Sequence, residues 1–187
     1  TRWREDATTD GWGSHLFLRD VASGRLWSAT YQPTASEPDE YGVVFAEDRA
    51  RFTRRDGALT TVLEVIVSSE DDAEVRRLSI TNGGSRHREI EVTSYAEVVL
   101  AAAAADAAHP AFSNLFLQTE FVPEVRGLLA TRRGRSAGDP ALWAAHVVTR
   151  EYAGSDGLEY ETDRARFVGR GGTVHAPAAL LDGHPLL

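Results

Sequence analysis

The sequence predicts an all-β domain, an antiparallel sandwich or barrel. Three observations carry this. Short segments alternate apolar and polar residues with period two, as a sheet with one buried face requires. Turn signals rich in Gly and Asp separate those segments. No window of about 11 residues or more carries a helical apolar stripe. Strands without helices between them exclude a doubly wound α/β fold.

The elements follow in chain order. "SHLFLRD" at 14–20 and "RLWSATYQ" at 25–32 flank "VASG" and read as a hairpin. "YGVVFAEDRARFTRR" at 41–55 runs through Asp56-Gly57 into "ALTTVLEVIVS" at 58–68. Asp-Gly between apolar runs is a strong hairpin mark. "AEVRRLSITN" at 73–82 and "HREIEVTSYAEVV" at 87–99 flank "GGSR" and read as a second pair. Leu78 and Ile80 alternate there with Arg77, Ser79 and Thr81, and Ile90 and Val92 with Glu89, Glu91 and Thr93. Residues 101–108, nearly all alanine, have helical propensity. Pro110 disfavours helix at His109, so any helix there is short. "ALWAAHVVTR" at 141–150, "LEYETD" at 158–163 and "RARFVGR" at 164–170 read as further strands. "DRARF" occurs twice, at 48–52 and 163–167. Chance in an Arg/Ala-rich chain and a shared way of bridging into an edge strand both fit.

The chain has 187 residues, which predicts one domain over 1–187. A domain of this size buries roughly 70% of its unfolded surface and needs no staples. Apolar residues at 42% and charged residues at 26% describe a globular protein. The net charge of −8 argues against nucleic acid, since an acidic surface releases no counterions from phosphates. With 0 cysteines, disulfides and thiolate metal sites are excluded, which fits the cytoplasm. All 20 basic residues are arginine, as a GC-rich genome would produce. Methionine is absent even at position 1, so the chain is expected to be an internal or processed piece of a longer protein. Residues 1–10 are charged throughout and resemble no signal peptide. The longest apolar run, 98–105, falls far short of the about 20 residues a membrane helix needs, so no membrane contact is expected from this segment.

Local motifs nominate little chemistry. His15, His87, His109, His146, His175 and His184 form no His-x-His or His-x₃-His pattern, and no metal site is expected. There is no Gly-x-Ser-x-Gly elbow and no Walker loop. "GRGG" at 169–172 reads as a turn, and Glu70, Asp71 and Asp72 as a solvated loop. Glycoside chemistry needs two carboxyl groups about 5–9 Å apart, and the spacing nominates no such pair. Trp27 and Trp143, inside alternating strands, are expected in the core. Trp12, in "TTDGWGS", is equally an exposed face for stacking on a sugar ring or a packed residue. Asp106, His109 and Phe112 read locally as a helix cap followed by a turn at His109-Pro110.

Longer motifs carry a resemblance. Residues 1–33 and "VRRLSITNGGSRHREIEVTSYAEVVL" at 75–100 resemble the N-terminal β-sandwich of glycoside hydrolase family 94, formerly glycosyltransferase family 36. That family includes cellobiose, chitobiose and cellodextrin phosphorylases. "DAAHPAF" at 106–112 followed by "TEF" at 119–121 is similar to the phosphorylase-like part of cyclic β-1,2-glucan synthases. The likeness covers nearly the whole chain.

The resemblance implies an antiparallel β-supersandwich of the galactose-mutarotase type, truncated at both ends. It also implies a following α/α barrel that carries the catalytic residues and is not in this chain. The isolated domain is therefore expected to be non-catalytic, its parent a glycoside phosphorylase or a synthase, with anchoring of that parent in the inner membrane left open. Family sandwiches carry an "S-[FY]-x-E" strand, matched here by Ser94, Tyr95 and Glu97, after which the chain leaves towards the barrel's substrate. On that pattern Asp106, His109, Phe112, Ser113 and Asn114 face sugar. With Trp12 and Glu97 they make the expected substrate-binding set. Disaccharide phosphorylases show Phe-Gln-Arg where this chain has Phe112-Ser113-Asn114, which implies a different acceptor. The expected partners are a β-glucan or oligosaccharide, the barrel and a second copy of the chain, with no cofactor. The alternatives are a structural or dimerisation scaffold without sugar contact, and a mutarotase-like epimerase. The last needs a His/Glu acid–base pair that no motif here supplies.

Overall fold

The computed structural model describes residues 11–108, 114–134, 136, 138–151 and 157–181. Among them, ten strands form three antiparallel sheets. The all-β supersandwich class expected from the sequence is the observed one.

The central sheet has the order β2-β1-β7, with β1 Ser14–Asp20, β2 Leu26–Ser28 and β7 Ile90–Ala96. The second sheet runs β3 Glu40–Phe45, β4 Arg49–Asp56, β5 Leu59–Val67 and β6 Glu74–Asn82 in sequence order. The third holds β8 Leu117–Val122, β9 Gly127–Arg132 and β10 Leu142–Val147, with β9 in the middle.

Two cores sit on opposite faces of the central sheet. Leu16, Leu18 and Trp27 on one face meet Leu59 and Leu63 of the second sheet, with Phe52, Val65 and Leu78 packed around them. Phe17 on the other face meets Phe167, Val168, Val174 and Leu180. These last come from α2, Arg164–Val168, from α3, Ala178–Leu181, and from the turn between them. Residues 15–18 of β1 are buried on both faces, which is why "HLFL" hardly alternates. Each such buried Leu or Phe stabilises the fold by about 1.5–3 kcal/mol.

The β1–β2 hairpin and the β4–β5 hairpin through Asp56-Gly57 form as expected, Arg19 facing Leu26 and Asp56 facing Leu59. The pair 73–82 and 87–99 does not form a hairpin. β6 ends the second sheet beside β5, while β7 pairs along the whole of β1, Ser14 facing Ala96 and Asp20 facing Ile90. The chain crosses between layers here because Ile90 joins the first core on the central-sheet side.

"RARFVGR" is the helix α2 instead of a strand. Asp163 caps it, accepting from the amides of Ala165 at 2.7 Å and Arg166 at 3.4 Å, and Gly169 ends it at φ 88°. Within "LEYETD" the described residues carry no regular structure. The hairpin β8–β9 was not among the expected strands. Trp27 is 1% exposed, as expected, whereas Trp143 on the edge strand β10 is 61% exposed and not in the core. Glu70, Asp71 and Asp72 are exposed in the β5–β6 turn.

Buried polar groups stitch the layers together. Arg54, wholly buried, grips Asp56 through Nε at 2.7 Å and Nη2 at 3.0 Å. Its Nη2 also donates to the carbonyl of Ser36 at 2.8 Å. Arg76 of β6 donates to the carbonyl of Ser14 at 2.7 Å, and Ser94 of β7 hydrogen-bonds His146 of β10 at 2.8 Å. The three sheets thus meet around Ser14, Arg76, Ser94 and His146.

Candidate functional site

The antiparallel register of β1 and β7 builds the site. It sets the residues just before Ser14 beside those just after Ala96. The amide of Glu97 accordingly donates to the carbonyl of Gly13 at 3.1 Å, and Trp12, half-buried, lies one residue further along. Gly13 has φ 114°, a conformation that L side chains rarely adopt.

Glu97 is 5% exposed. Its Oε1 accepts from the Tyr95 hydroxyl at 2.5 Å and from Arg164 Nε at 2.7 Å. Both are short bonds to a charged acceptor, the stronger kind. Burial pushes the Tyr95 hydroxyl well above its usual range, and the hydrogen bond to Glu97 adds to the shift. Tyr95 stays a neutral donor on this carboxylate at any ordinary pH. Its ring stacks on Phe167 with centroids 5.0 Å apart and on His15 at 6.2 Å.

Beyond Glu97 the chain leaves the central sheet. Val99 is buried, and its carbonyl accepts from Arg132 Nη1 of β9 at 3.0 Å. Leu100 takes the left-handed conformation at φ 49°, which turns the chain out of the strand. A short helix follows, α1, Ala103–Ala108. Asp106 lies within it instead of capping it, and is 6% exposed. Asn114 is exposed ahead of β8. His109, Phe112 and Ser113 lie outside the described residues.

The structure therefore sets Gly13, the neighbour of Trp12, against Glu97 and buries Glu97 and Asp106 on the exit segment. Sequence reasoning missed Arg164, because a strand was expected at 164–170. The available signal was a cap residue, Asp163, followed by a short apolar run that ends in Gly169. Two surface hollows, of about 320 and 230 Å³, lie elsewhere, the first beside Tyr41 and Arg55 and the second beside Asn82 and Arg88. Among the described residues no group of three His, Asp or Glu side chains is placed to hold a metal.

Similarity to known proteins bears on this arrangement. The family described as glycosyl hydrolase 94, supersandwich domain, matches residues 1–186. The chain belongs to that family. This supersandwich is 42% identical over 186 residues to a cyclic β-(1,2)-glucan synthase, NdvB, of Rhizobium meliloti, covering 100% of the chain and 7% of that protein. It is 23% identical over 173 residues to a solabiose phosphorylase of Paenibacillus borealis, covering 92% of the chain and 21% of that enzyme. An N,N'-diacetylchitobiose phosphorylase of Vibrio furnissii is 27% identical over 123 residues, 65% of the chain and 15% of the enzyme. The supersandwich thus spans a small part of each of these relatives. No described helix is long and apolar enough to cross a membrane.

Proposed function

We propose that this supersandwich is a non-catalytic, substrate-shaping domain of a β-glucan synthase or phosphorylase. It would hold the segment that follows β7 against a sugar bound by a catalytic barrel of the same protein. One observation carries the reading. The exit segment is pinned at Glu97, at the Val99 carbonyl and at buried Asp106, immediately before residues 109–114. Loops on rigid scaffolds commonly carry specificity, and three fixed points make this scaffold rigid. Glu97 and Asp106 anchor the segment that leads into residues 109–114, while Trp12 and residues 109–114 supply the sugar contacts. The 42% identity to a glucan synthase over the full chain favours a β-1,2-linked glucan as ligand.

Two measurements on the purified chain test this. With inorganic phosphate and β-1,2-glucan it should release no glucose 1-phosphate; turnover by the chain alone would refute a non-catalytic role. Titration with β-1,2-gluco-oligosaccharides should shift the Trp12 indole and the amides of 106–114. Silence at millimolar sugar would sink the sugar-contact reading and leave the scaffold alternative.

A further inference from the structure

The face of the central sheet that carries the second core ends in a cation whose donors the fold does not use up. In the register of β1 and β7, His15 faces Tyr95, and one step on Gly13 faces Glu97 through a backbone bond of 3.1 Å. Residues two apart on a strand share a face, so Glu97 lies on the side of Tyr95, which packs on the second core. Around Tyr95 that side is filled by the rings of His15, Phe17 and Phe167. Opposite Glu97 it is open. Gly13 carries no side chain, and where a Cβ would stand nothing but its chain neighbours lies within 4 Å. Arg164 reaches Glu97 from α2. Its Nε donates to Glu97 at 2.7 Å, while its side chain stays 47% exposed. A guanidinium has five N–H donors. Apart from Glu97 and the nearby Tyr95 hydroxyl, the described residues offer this one no acceptor.

We propose that Arg164 is a sugar-binding residue, its Nη groups donating to the hydroxyls of a hexose unit lodged over Gly13. This rests on the sugar reading above and adds a residue to it. Charge selects a neutral sugar over an anion. The cation is offset by a carboxylate that is 5% exposed, and the chain carries a net charge of −8, so a phosphate gains little there. A hydroxyl needs only a fixed donor, and this fork is fixed. Glu97 holds its Nε, and Tyr95 holds Glu97 at 2.5 Å. A donor oriented in advance loses little side-chain freedom on binding. Half-buried Trp12, next to Gly13, lies at the same end of the sheet. Arg166 of the same helix pairs instead with Glu161, at 3.1 Å, whose side chain is 3% exposed.

Titration of the purified chain with β-1,2-gluco-oligosaccharides tests it, read at the Arg164 Nε–H nuclear magnetic resonance signal assigned through its own backbone. That signal should shift as sugar is added. Arg164→Lys keeps a cation for Glu97 but loses the fork. It should weaken binding about tenfold, the loss of one hydrogen bond from a charged donor. Arg166→Lys disturbs the same helix and another buried carboxylate, and should leave the affinity unchanged. Should Arg164→Lys fail to fold, the Nε–H shift in the wild type decides. Sugar could move the amides of 106–114 while the Arg164 signal stays still or Arg164→Lys binds as tightly as wild type. This inference then falls and the sugar reading stands. Equal losses of affinity in the two lysine variants would make Arg164 a structural residue only and overturn the inference as well. No shift anywhere at millimolar sugar overturns both readings.

Discussion

Replacing Arg54 by Met should destabilise the domain more than any surface change. Arg54 and Asp56 side chains are 0% and 3% exposed, and the guanidinium holds both carboxylate oxygens. It also satisfies the carbonyls of Ser36 at 2.8 Å and Thr30 at 3.4 Å, tying the loop after β2 to β4. Methionine keeps the length and removes every donor. Asp56 would then rely on Arg25, 2.9 Å away and half-exposed. Removing one partner of a buried pair costs about 3–5 kcal/mol, because the other charge is left uncompensated. For a domain of this size each kcal/mol lowers the melting temperature by about 2–4 °C, so a fall of about 6–20 °C is expected. Thermal and urea unfolding followed by tryptophan fluorescence reads this, since Trp27 sits in the neighbouring core. The double variant Arg54→Met/Asp56→Leu should lose less than the sum of the two single variants, as neighbours in one network do. A loss below about 1 kcal/mol, the range of exposed pairs, or an additive cycle would refute the reasoning.

Other outcomes follow from the same geometry. Glu97→Gln should bring the Tyr95 hydroxyl pKa back down towards the ordinary phenol range, read by ultraviolet titration, and should cost about 1–3 kcal/mol from disturbed buried bonds. A Tyr95 titration unmoved by the change would show that burial alone holds it. Asp163→Ala should remove about 0.5–2 kcal/mol and speed amide exchange at Ala165, since the cap bond is lost. Burial, with Arg76 nearby, lowers the His146 pKa below its ordinary value. The unfolded chain therefore takes up that proton first. Stability from this group is complete above about pH 6.5 and declines as pH falls towards the folded pKa. The gap between the urea midpoints of wild type and His146→Asn should be constant above that pH and change below it, as the wild type alone loses stability there. Parallel curves would contradict the assignment.

The period-two segments from 41 to 67 became β3, β4 and β5 where expected, because each needs only one buried face and a local turn. The pairing of β7 was not legible. Its alternation is equally satisfied beside β6 or beside β1, and packing of Ile90 into the first core and Tyr95 into the second selects β1. The site inherits this difficulty. Gly13, next to Trp12, meets Glu97 because β1 and β7 pair, and Arg164 arrives from a helix far along the chain. Trp143 was misplaced because alternation marks which residues share a face, not whether anything covers it.

The pentapeptide "DRARF" separates the two kinds of information. Composition, turn residues and alternation determined by themselves that the chain is an antiparallel β protein, and its motifs placed it in a family. They could not determine the shape of a sequence that occurs twice. At 48–52 Asp48 bonds its neighbour Arg49, and the residues after it lie between β3 and β5, whose ladders on both sides hold them extended. At 163–167 none of the described strands lies alongside to offer a ladder. Asp163 turns its side chain to the amides ahead of it, and Phe167 is buried against Tyr95 and Phe17. The local preferences of the five residues are the same. Hydrogen-bonding partners and a core to fill, both supplied by distant parts of the chain, make one copy a strand and the other a helix.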